Sequence, residues 1–353
     1  MRRRSTTSAR SRRSGRGSSR TCWAASATHA ARKEDPRAYV RLVTEEDRDN
    51  FRAALAYAAS AERGDELLEL AASLAEFWRT SGTLDEGRSW LEESLARAPD
   101  GAPRLRGRVL FGLALLSYVR GQPEEATETV GRAIELLELH GHGEELGRAV
   151  WLRGAAAHGT REFAVAATSY ERAIGLLRAA GYETVAGRVV GSLAEARRRA
   201  GDLDGAAAAA RESAAIAERA GDAEAHAYAL AHAGYYDLLR DDREAAAREI
   251  VEALEVAARG GGRWSIAIAL LFAAQVAFSC ERDTDAAMVL GAAHAAFDAV
   301  GEDRWSNERD DWEPTLDALA ERLGTELDEL LERGRELTPD DAVALAVRAA
   351  SAP

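Results

Sequence analysis

A small residue followed by apolar positions at helical spacing recurs about every 40 residues along the chain. In the second of these repeats, Ala126 is followed by Val130 four positions later and by Ala133 seven positions later. Offsets of zero, four and seven place side chains on one face of an α-helix. A period of this length predicts stacked pairs of helices. The small residues lie 39 to 41 positions apart and are Gly87, Ala126, Ala166, Ala206, Ala246 and Ala287.

Turn-forming residues between the apolar segments set the expected bounds of the helices, as Gly201-Asp202 does between two of them. A first, unpaired helix is expected from Thr44, which resembles an N-cap, to about Arg63, where Gly64 should end it. The expected pairs are 65–81 with 84–98, 104–120 with 123–140, 144–158 with 162–180, 183–200 with 203–220, 223–240 with 242–259, and 262–280 with 283–300.

The pattern therefore predicts an all-α fold, a right-handed superhelix of about six helix pairs with a helical C-terminal cap. We expect the repeat array to span residues 34–300 and the cap to span 301–353. The period stops at Gly301, and a polar segment follows it. Such an end would give a solenoid the polar terminus that it needs. Cap helices are expected at 313–323, 325–334 and 338–349, the last with Thr338 as its N-cap.

The first 33 residues differ sharply in composition from the rest. They contain nine arginines, one lysine and no acid, so of the net charge of −13 they contribute +10, which leaves −23 for residues 34–353. Their composition is typical of disorder. A nucleic-acid-binding arm, an organelle transit peptide and a misplaced start or fragment boundary all remain open for this tail, and we favour the last. The acidic remainder should repel nucleic acid and anionic membranes, and no apolar run is long enough to span a bilayer.

The sequence contains no pattern typical of an enzyme. Lys33 is the only lysine, so no phosphate-binding G-x-x-x-x-G-K-[ST] loop and no later Schiff-base lysine exists. The patterns H-E-x-x-H, G-x-S-x-G and C-x-x-C are also missing. We therefore predict a protein that is not an enzyme and needs no cofactor. The two cysteines, Cys22 and Cys280, form no disulfide framework, which favours a cytoplasmic location.

A metal site is not expected either. His140 and His142 lie in a glycine-bearing loop close to Glu144 and Glu145. Two flexible histidines without a fixed third ligand are more typical of solvated side chains than of a metal centre.

Three stretches carry a resemblance to a known family. The chain resembles the carboxy-terminal tetratricopeptide-like region of large actinobacterial LuxR-type and AfsR-type transcriptional regulators with a central signalling ATPase, and of related cyclase-linked ATPases. The likeness covers about residues 37–350. The first matching stretch is 45–55, which reads E-E-D-R-D-N-F-R-A-A-L. The second runs from F-W-R at 77–79 through Gly82 and continues at 86–92, which reads E-G-R-S-W-L-E. The third is 290–293 followed by 334–338 and 342–346.

The resemblance implies tetratricopeptide-like helix pairs that act as a sensor or protein-contact arm. Family members carry an upstream ATPase and often a DNA-binding domain, and we expect this chain to lack both because it starts close to the repeats. We interpret it as a non-enzymatic binding module. Its expected partner is a protein or peptide, such as a regulator ATPase, or a small anionic effector. A small-molecule sensor solenoid and an inactive fragment of a split regulator gene are the alternatives.

The resemblance also implies where binding occurs, on the groove formed by the first helix of each pair. We align these helices on Gly112, Gly154, Ala194 and Gly234 and apply the groove-facing offsets of the family. Five of the resulting nine side chains are cationic or can become so, which favours an acidic peptide or an anionic effector anchored by Trp151 and the tyrosines. The alternative is that the arginines pair with neighbouring acids. The candidates are Arg106, Arg148, Trp151, His158, Arg188, Glu195, Arg198, Tyr228 and Tyr235.

Overall fold

The structure, a computed structural model, describes residues 45–260, 262–300 and 305–351. Over these ranges the chain forms helices and contains no strand. The predicted disordered tail and the predicted N-cap Thr44 lie outside the described residues.

After an unpaired first helix, the helices follow one another in pairs and end in a group of shorter elements. The bounds are α1 Glu45–Ser60; α2 Gly64–Ser81 and α3 Leu84–Arg97; α4 Pro103–Val119 and α5 Pro123–His140; α6 Gly143–Gly159 and α7 Phe163–Ala179; α8 Glu183–Arg199 and α9 Leu203–Ala220; α10 Ala223–Leu239 and α11 Arg243–Gly260; α12 Arg263–Ser279 and α13 Asp283–Val300; α14 Trp305–Leu323, a 3₁₀ turn Gly324–Glu326, α15 Leu327–Arg335 and α16 Pro339–Ser351.

Each predicted bound of the paired helices α2 to α13 lies within one residue of the observed one. The reason is a repeated turn. In every pair, the connection contains a residue in the left-handed region, with φ between 58° and 88°. Glycine adopts this conformation without a steric penalty. The turn residues are Gly82, Gly121, Arg161, Gly201, Asp241 and Glu281.

The predicted end of the first helix is wrong. Helix α1 ends at Ser60, and Glu62, not Gly64, takes the left-handed conformation in the turn, with φ 55°. Gly64 is the first residue of α2, and a Cβ atom there would lie 2.9 Å from the Cβ of Ala98. The glycine therefore permits close packing rather than a turn.

The predicted start of the cap helices is also wrong. Helix α14 begins at Trp305, well before residue 313, and continues through Pro314. The first half of this helix is polar and charged, so it shows no apolar periodicity from which a helix could be predicted. The start of α16 is confirmed, since the amide of Asp341 donates to Oγ1 of Thr338 at 3.2 Å.

The recurring small residues are buried where the two helices of a pair cross. All five alanines of the set have no exposed surface, and a Cβ atom on Gly87 would lie 2.6 Å from the Trp78 ring of α2. Protein interiors have few voids, so the helices cannot separate to admit a larger side chain without losing contacts elsewhere. The prediction of one packed face per repeat is confirmed.

The chain divides into two compact units, with the boundary between Ala180 and Gly181. Unit 1 contains α1 to α7, and its core includes Leu68, Trp78 and Leu91. Unit 2 contains α8 to α16. In unit 2, α16 packs on α11, α12 and α13, and this cover buries α12 on nearly all sides.

Two glycines allow α15 to pack closely against α13 in unit 2. A Cβ atom on Gly291 would clash with the carbonyl oxygen of Leu331, and one on Gly334 would clash with the carbonyl oxygen of Met288. The two backbones touch because neither glycine has a side chain at the crossing.

Candidate functional site

The register of the first helices differs at α4 from the one expected. A Cβ atom on Gly154 would lie 2.6 Å from the ring of Tyr170, which belongs to the paired helix α7. A Cβ atom on Gly112 would instead lie 2.9 Å from Ala75 of the preceding first helix, α2. The equivalent of Gly154 in α4 is therefore Ala114, 40 positions earlier.

This correction replaces one candidate. Arg108, and not Arg106, lies in the register of Arg148 and Arg188. Arg106 instead directs Nη1 to the carbonyl oxygen of Ala98 at 3.3 Å. We call the side of the first helices that carries Arg108 and its equivalents the first-helix face.

In unit 1, two arginines of α4 share a single carboxylate on this face. Arg104 donates to both oxygens of Glu145 at 2.7 and 2.8 Å, and Arg108 lies 3.5 Å from the same group. Arg108 also donates to Oγ of Ser73 at 3.4 Å. Burial alone would raise the pKa of Glu145, but hydrogen bonds from Arg104 and from the His142 amide outweigh it and lower the pKa.

The next repeat continues the same surface. Arg148 donates to Glu144 at 3.2 Å in a half-exposed pair one helical turn apart. Trp151 of α6 and its equivalent Phe111 of α4 are both partly exposed beside these arginines. The candidate His158 packs edge-on against Phe163 at 5.2 Å. The pairing of Arg148 with a neighbouring acid is thus observed.

In unit 2, the cap helix α14 covers the part of the equivalent surface that surrounds Arg198. Arg198 of α8 donates to Glu195 at 2.7 Å from both Nε and Nη2. Its Nη1 and Nη2 also donate to the two carboxylate oxygens of Asp311 at 3.0 and 3.1 Å. The Arg198 and Asp311 side chains are only 10% and 11% exposed, so this ion pair is largely removed from solvent.

Aromatic side chains of α10 and α12 support this ion pair. The Tyr235 and Phe272 rings are stacked 4.4 Å apart, and the Arg198 guanidinium lies 5.6 Å from the Tyr235 ring centre. The Tyr236 hydroxyl donates to Glu195 at 3.2 Å. Burial would raise the pKa of Glu195, but the arginine hydrogen bonds bring it down to about 2.

A histidine that the sequence analysis did not select lies within the same cluster. Nδ1 of His232 donates to the Tyr228 carbonyl oxygen at 3.0 Å, and its ring contacts Tyr228 and Phe272. Burial lowers its pKa, because an imidazolium would lose its hydration there.

The structure thus gathers three of the five candidates of unit 2, Glu195, Arg198 and Tyr235, in a closed cluster rather than on an open groove. Tyr228 contacts the cluster through the ring of His232. Arg188 is exposed, and its side chain makes no hydrogen bond to the described residues.

The cluster also contains residues that the sequence analysis missed: Asp311, His232, Tyr236, Phe272 and Gln275. Gln275 follows Tyr235 by 40 positions, so the period could have found it, whereas no pattern marked Asp311.

A surface cleft of about 460 Å³ lies between α3, α4 and α5 of unit 1. Within it, Arg88 is held by Glu125 at 2.6 Å and by Glu92 at 2.8 Å. Arg132 lines the same cleft and makes no hydrogen bond to any described residue. Its lining also includes Leu95, Leu110 and Leu113.

No group of three or more potential metal ligands occurs in the part of the chain that the structure describes. His142 instead occupies the N-cap position of α6, where its amide donates to Glu145 at 3.3 Å. Among the described helices, none combines the length and apolar character needed to cross a membrane.

Comparison with solved structures supports a tetratricopeptide-like repeat fold. A signal-transduction ATPase of the STAND class with a tetratricopeptide repeat sensor, from Pyrococcus horikoshii, matches with a TM-score of 0.60 and 16% identity, covering 77% of this chain and 42% of that one. The apo form of RapI matches with a TM-score of 0.59 and 10% identity, covering 79% and 98%. NprR in complex with its cognate peptide NprX matches with a TM-score of 0.53 and 11% identity, covering 94% and 98%.

These likenesses establish the fold: this chain is an all-α array of tetratricopeptide-like helix pairs. No protein-family model matches the sequence, and no curated protein matches it.

Proposed function

We propose that the chain is a non-enzymatic, cytoplasmic binding module of a signalling or transcriptional regulator of the LuxR-type and AfsR-type class. In this proposal the first-helix face of unit 1 binds an acidic segment of a partner protein, such as the regulator's ATPase. The fold of the STAND repeat sensor and the peptide complex of NprR support a binding role for such an array. The actinobacterial assignment rests on the sequence resemblance.

The observation that carries the proposal is the shared carboxylate of unit 1. Arg104 and Arg108 share the carboxylate of Glu145, and Glu69 acts on Arg104 from farther away. Arg108 lies 3.5 Å from Glu145, so it is the arginine of this strip that a partner carboxylate can engage most readily. The Arg148 pair contributes only about 0.3–0.5 kcal/mol, as half-exposed helical pairs do, so a partner carboxylate can replace it. Phe111 and Trp151 offer apolar anchors beside the charges.

A displayed library of random peptides, selected against the immobilised full chain, tests this function. The selected peptides should be rich in acids and contain an aromatic residue. Their affinity should fall by about tenfold or more for the double variant Arg108→Glu plus Arg148→Glu, because each reversal converts attraction into repulsion. The matched control, Arg97→Glu plus Arg172→Glu, makes the same charge change at two ion-paired arginines of the second helices α3 and α7. Selected peptides without acids, or equal binding to both double variants, would contradict the proposal.

A small anionic effector is the second candidate, and the cleft between α3, α4 and α5 favours it. Arg132 makes no hydrogen bond there to described residues, and leucines line the rest. A panel of small carboxylates in a thermal-shift assay should stabilise the parent protein but not Arg132→Glu. Stabilisation of both proteins would exclude the cleft.

A further inference from the structure

Asp311 anchors helix α14 on the first-helix face of unit 2 through both its side chain and its main chain. The carboxylate of Asp311 accepts two hydrogen bonds from Arg198 of α8. Its main-chain carbonyl oxygen accepts a third, from Nε2 of Gln275 of α12, at 2.9 Å. One residue of α14 therefore binds to two of the first helices at once.

The site that binds this aspartate, which we call the receptor, consists of Arg198 and the residues of α8 and α10 that orient it. Arg198 is oriented by Glu195 on its own helix and lies over the ring of Tyr235 from α10. Glu195 is in turn held by the Tyr236 hydroxyl and by Arg199. These supports all come from α8 and α10, so a carboxylate-binding arginine would remain in place if α14 left.

Helix α14 has contacts that attach it and features that weaken it. Near its C-terminal end, Arg322 donates to Asp283 at 3.0 Å and lies 4.4 Å from the centre of the Phe278 ring. Pro314 lies inside the helix, where it cannot donate a hydrogen bond and its ring crowds the preceding turn. Among its described side chains, Trp312 and Leu319 are buried, whereas Glu313, Pro314 and Asp317 are exposed. Trp312 packs edge-on against His294 of α13 at 5.4 Å, beside the aspartate.

We propose that α14 is an internal ligand of the first-helix face of unit 2, and that a partner protein displaces it with a helix bearing an acidic side chain next to an aromatic one. The partner's carboxylate takes the place of Asp311 on Arg198, and its aromatic ring takes the place of Trp312 against His294. This proposal goes beyond the binding function of unit 1, because it assigns a second surface that is closed until α14 leaves.

A fluorescein-labelled peptide with the sequence of residues 305–323 tests the proposal on the full chain. A tethered segment has an effective concentration of roughly millimolar, so the parent protein should bind the peptide poorly. Asp311→Asn removes the charge that holds the internal helix, and its affinity for the peptide should rise by about tenfold or more. Asp317→Asn is the matched control, since Asp317 lies on the exposed side of α14, and it should behave as the parent does.

Adding Arg198→Met to Asp311→Asn releases the internal helix but also removes the receptor, so this double variant should not bind the peptide. Equal affinity in the parent and in Asp311→Asn, or tight binding by the double variant, would overturn the proposal.

Hydrogen exchange provides a readout that does not depend on the peptide. In Asp311→Asn, amides of α14 should exchange about tenfold faster or more, while those of α8 and α10 keep their protection. Unchanged protection of α14 would overturn the proposal, as would loss of protection throughout α8 and α10, because α14 would then be an integral part of the core. The acidic peptides proposed to bind the first-helix face of unit 1 should bind the Arg198→Met variant as they bind the parent, which separates this test from that of the proposed function.

Discussion

The same short motif, a glutamate followed three positions later by an arginine, occupies equivalent positions of the two units and has a different environment in each. In α2 of unit 1, Arg79 pairs with Glu76, and the two side chains are 33% and 28% exposed. In α8 of unit 2, Arg198 pairs with Glu195 but is only 10% exposed, because Asp311 covers it. The helix sequence encodes the pair, whereas a distant helix decides whether the pair is a solvated surface feature or a buried cluster.

The largest expected difference is in what the two arginines contribute to stability. Arg198→Met removes the bidentate partner of the largely buried Asp311 and leaves it opposite Glu195, with Arg199 4.0 Å away, which should cost about 3 kcal/mol. Arg79→Met removes a pair that water already screens and should cost under about 1 kcal/mol. Hydrogen-exchange mass spectrometry can measure the opening free energy of each unit separately. Similar losses in both variants would show that α14 does not change the environment of the pair.

The glycines of the two units provide the next contrast. Gly291→Ala places a Cβ atom against the carbonyl of Leu331, and neither backbone can move away cheaply, so we expect a loss of about 1–3 kcal/mol. Gly131→Ala in α5 of unit 1 meets no atom within 4 Å and should stabilise its helix by about 0.5–1 kcal/mol. Thermal unfolding of both variants tests this, and a stabilising Gly291→Ala would show that the α13–α15 crossing is loose.

The buried histidine of unit 2 predicts a pH dependence. Burial lowers the pKa of His232 in the folded protein. Below about pH 6.5 this histidine is therefore protonated in the unfolded chain but still neutral in the folded one. The free energy of unfolding of unit 2 should therefore fall as the pH drops below that value and stay level above it. Each such histidine contributes at most about 1.4 kcal/mol per pH unit. His294, whose pKa is lowered to about 4 by burial, adds to the fall in the same direction.

Denaturation of His232→Gln between pH 5 and 8 checks this expectation, because the variant should show a shallower fall than the parent protein. His140→Gln, at an exposed position of unit 1, is the control. A profile of His232→Gln that matches the parent at every pH would show that the ring takes up its proton freely in the folded state.

The smallest expected effects are in the turns. Gly201 of unit 2 and Arg161 of unit 1 occupy equivalent turns with φ of 88° and 65°. Gly201→Ala should cost about 1 kcal/mol, and Arg161→Gly should gain up to about 1 kcal/mol, because a Cβ atom is strained in this conformation. Urea denaturation can compare the two, and a destabilising Arg161→Gly would indicate that the arginine side chain contributes contacts that outweigh its strain.

Much of the fold could be predicted because its information is local. Apolar spacing placed α2 to α13, and turn residues such as Gly201 fixed their ends. The candidate site was predicted less well. Choosing Gly112 rather than Ala114 shifted α4 by two positions and selected Arg106 in place of Arg108, because two small residues of that helix serve different contacts.

By itself, the sequence determined the helix pairs, the buried small residues and the arginines of the first helices, since each depends on residues within one repeat. Only the tertiary structure decided which of those arginines stay accessible. The contact of Asp311 with Arg198 joins residues 113 positions apart in sequence, and no periodic pattern can encode a partner from outside the period. Charge, helix propensity and spacing determine which side chains lie on the surface of a helix. The packing of α14 on α8 and α12 determines which of those side chains of unit 2 are buried.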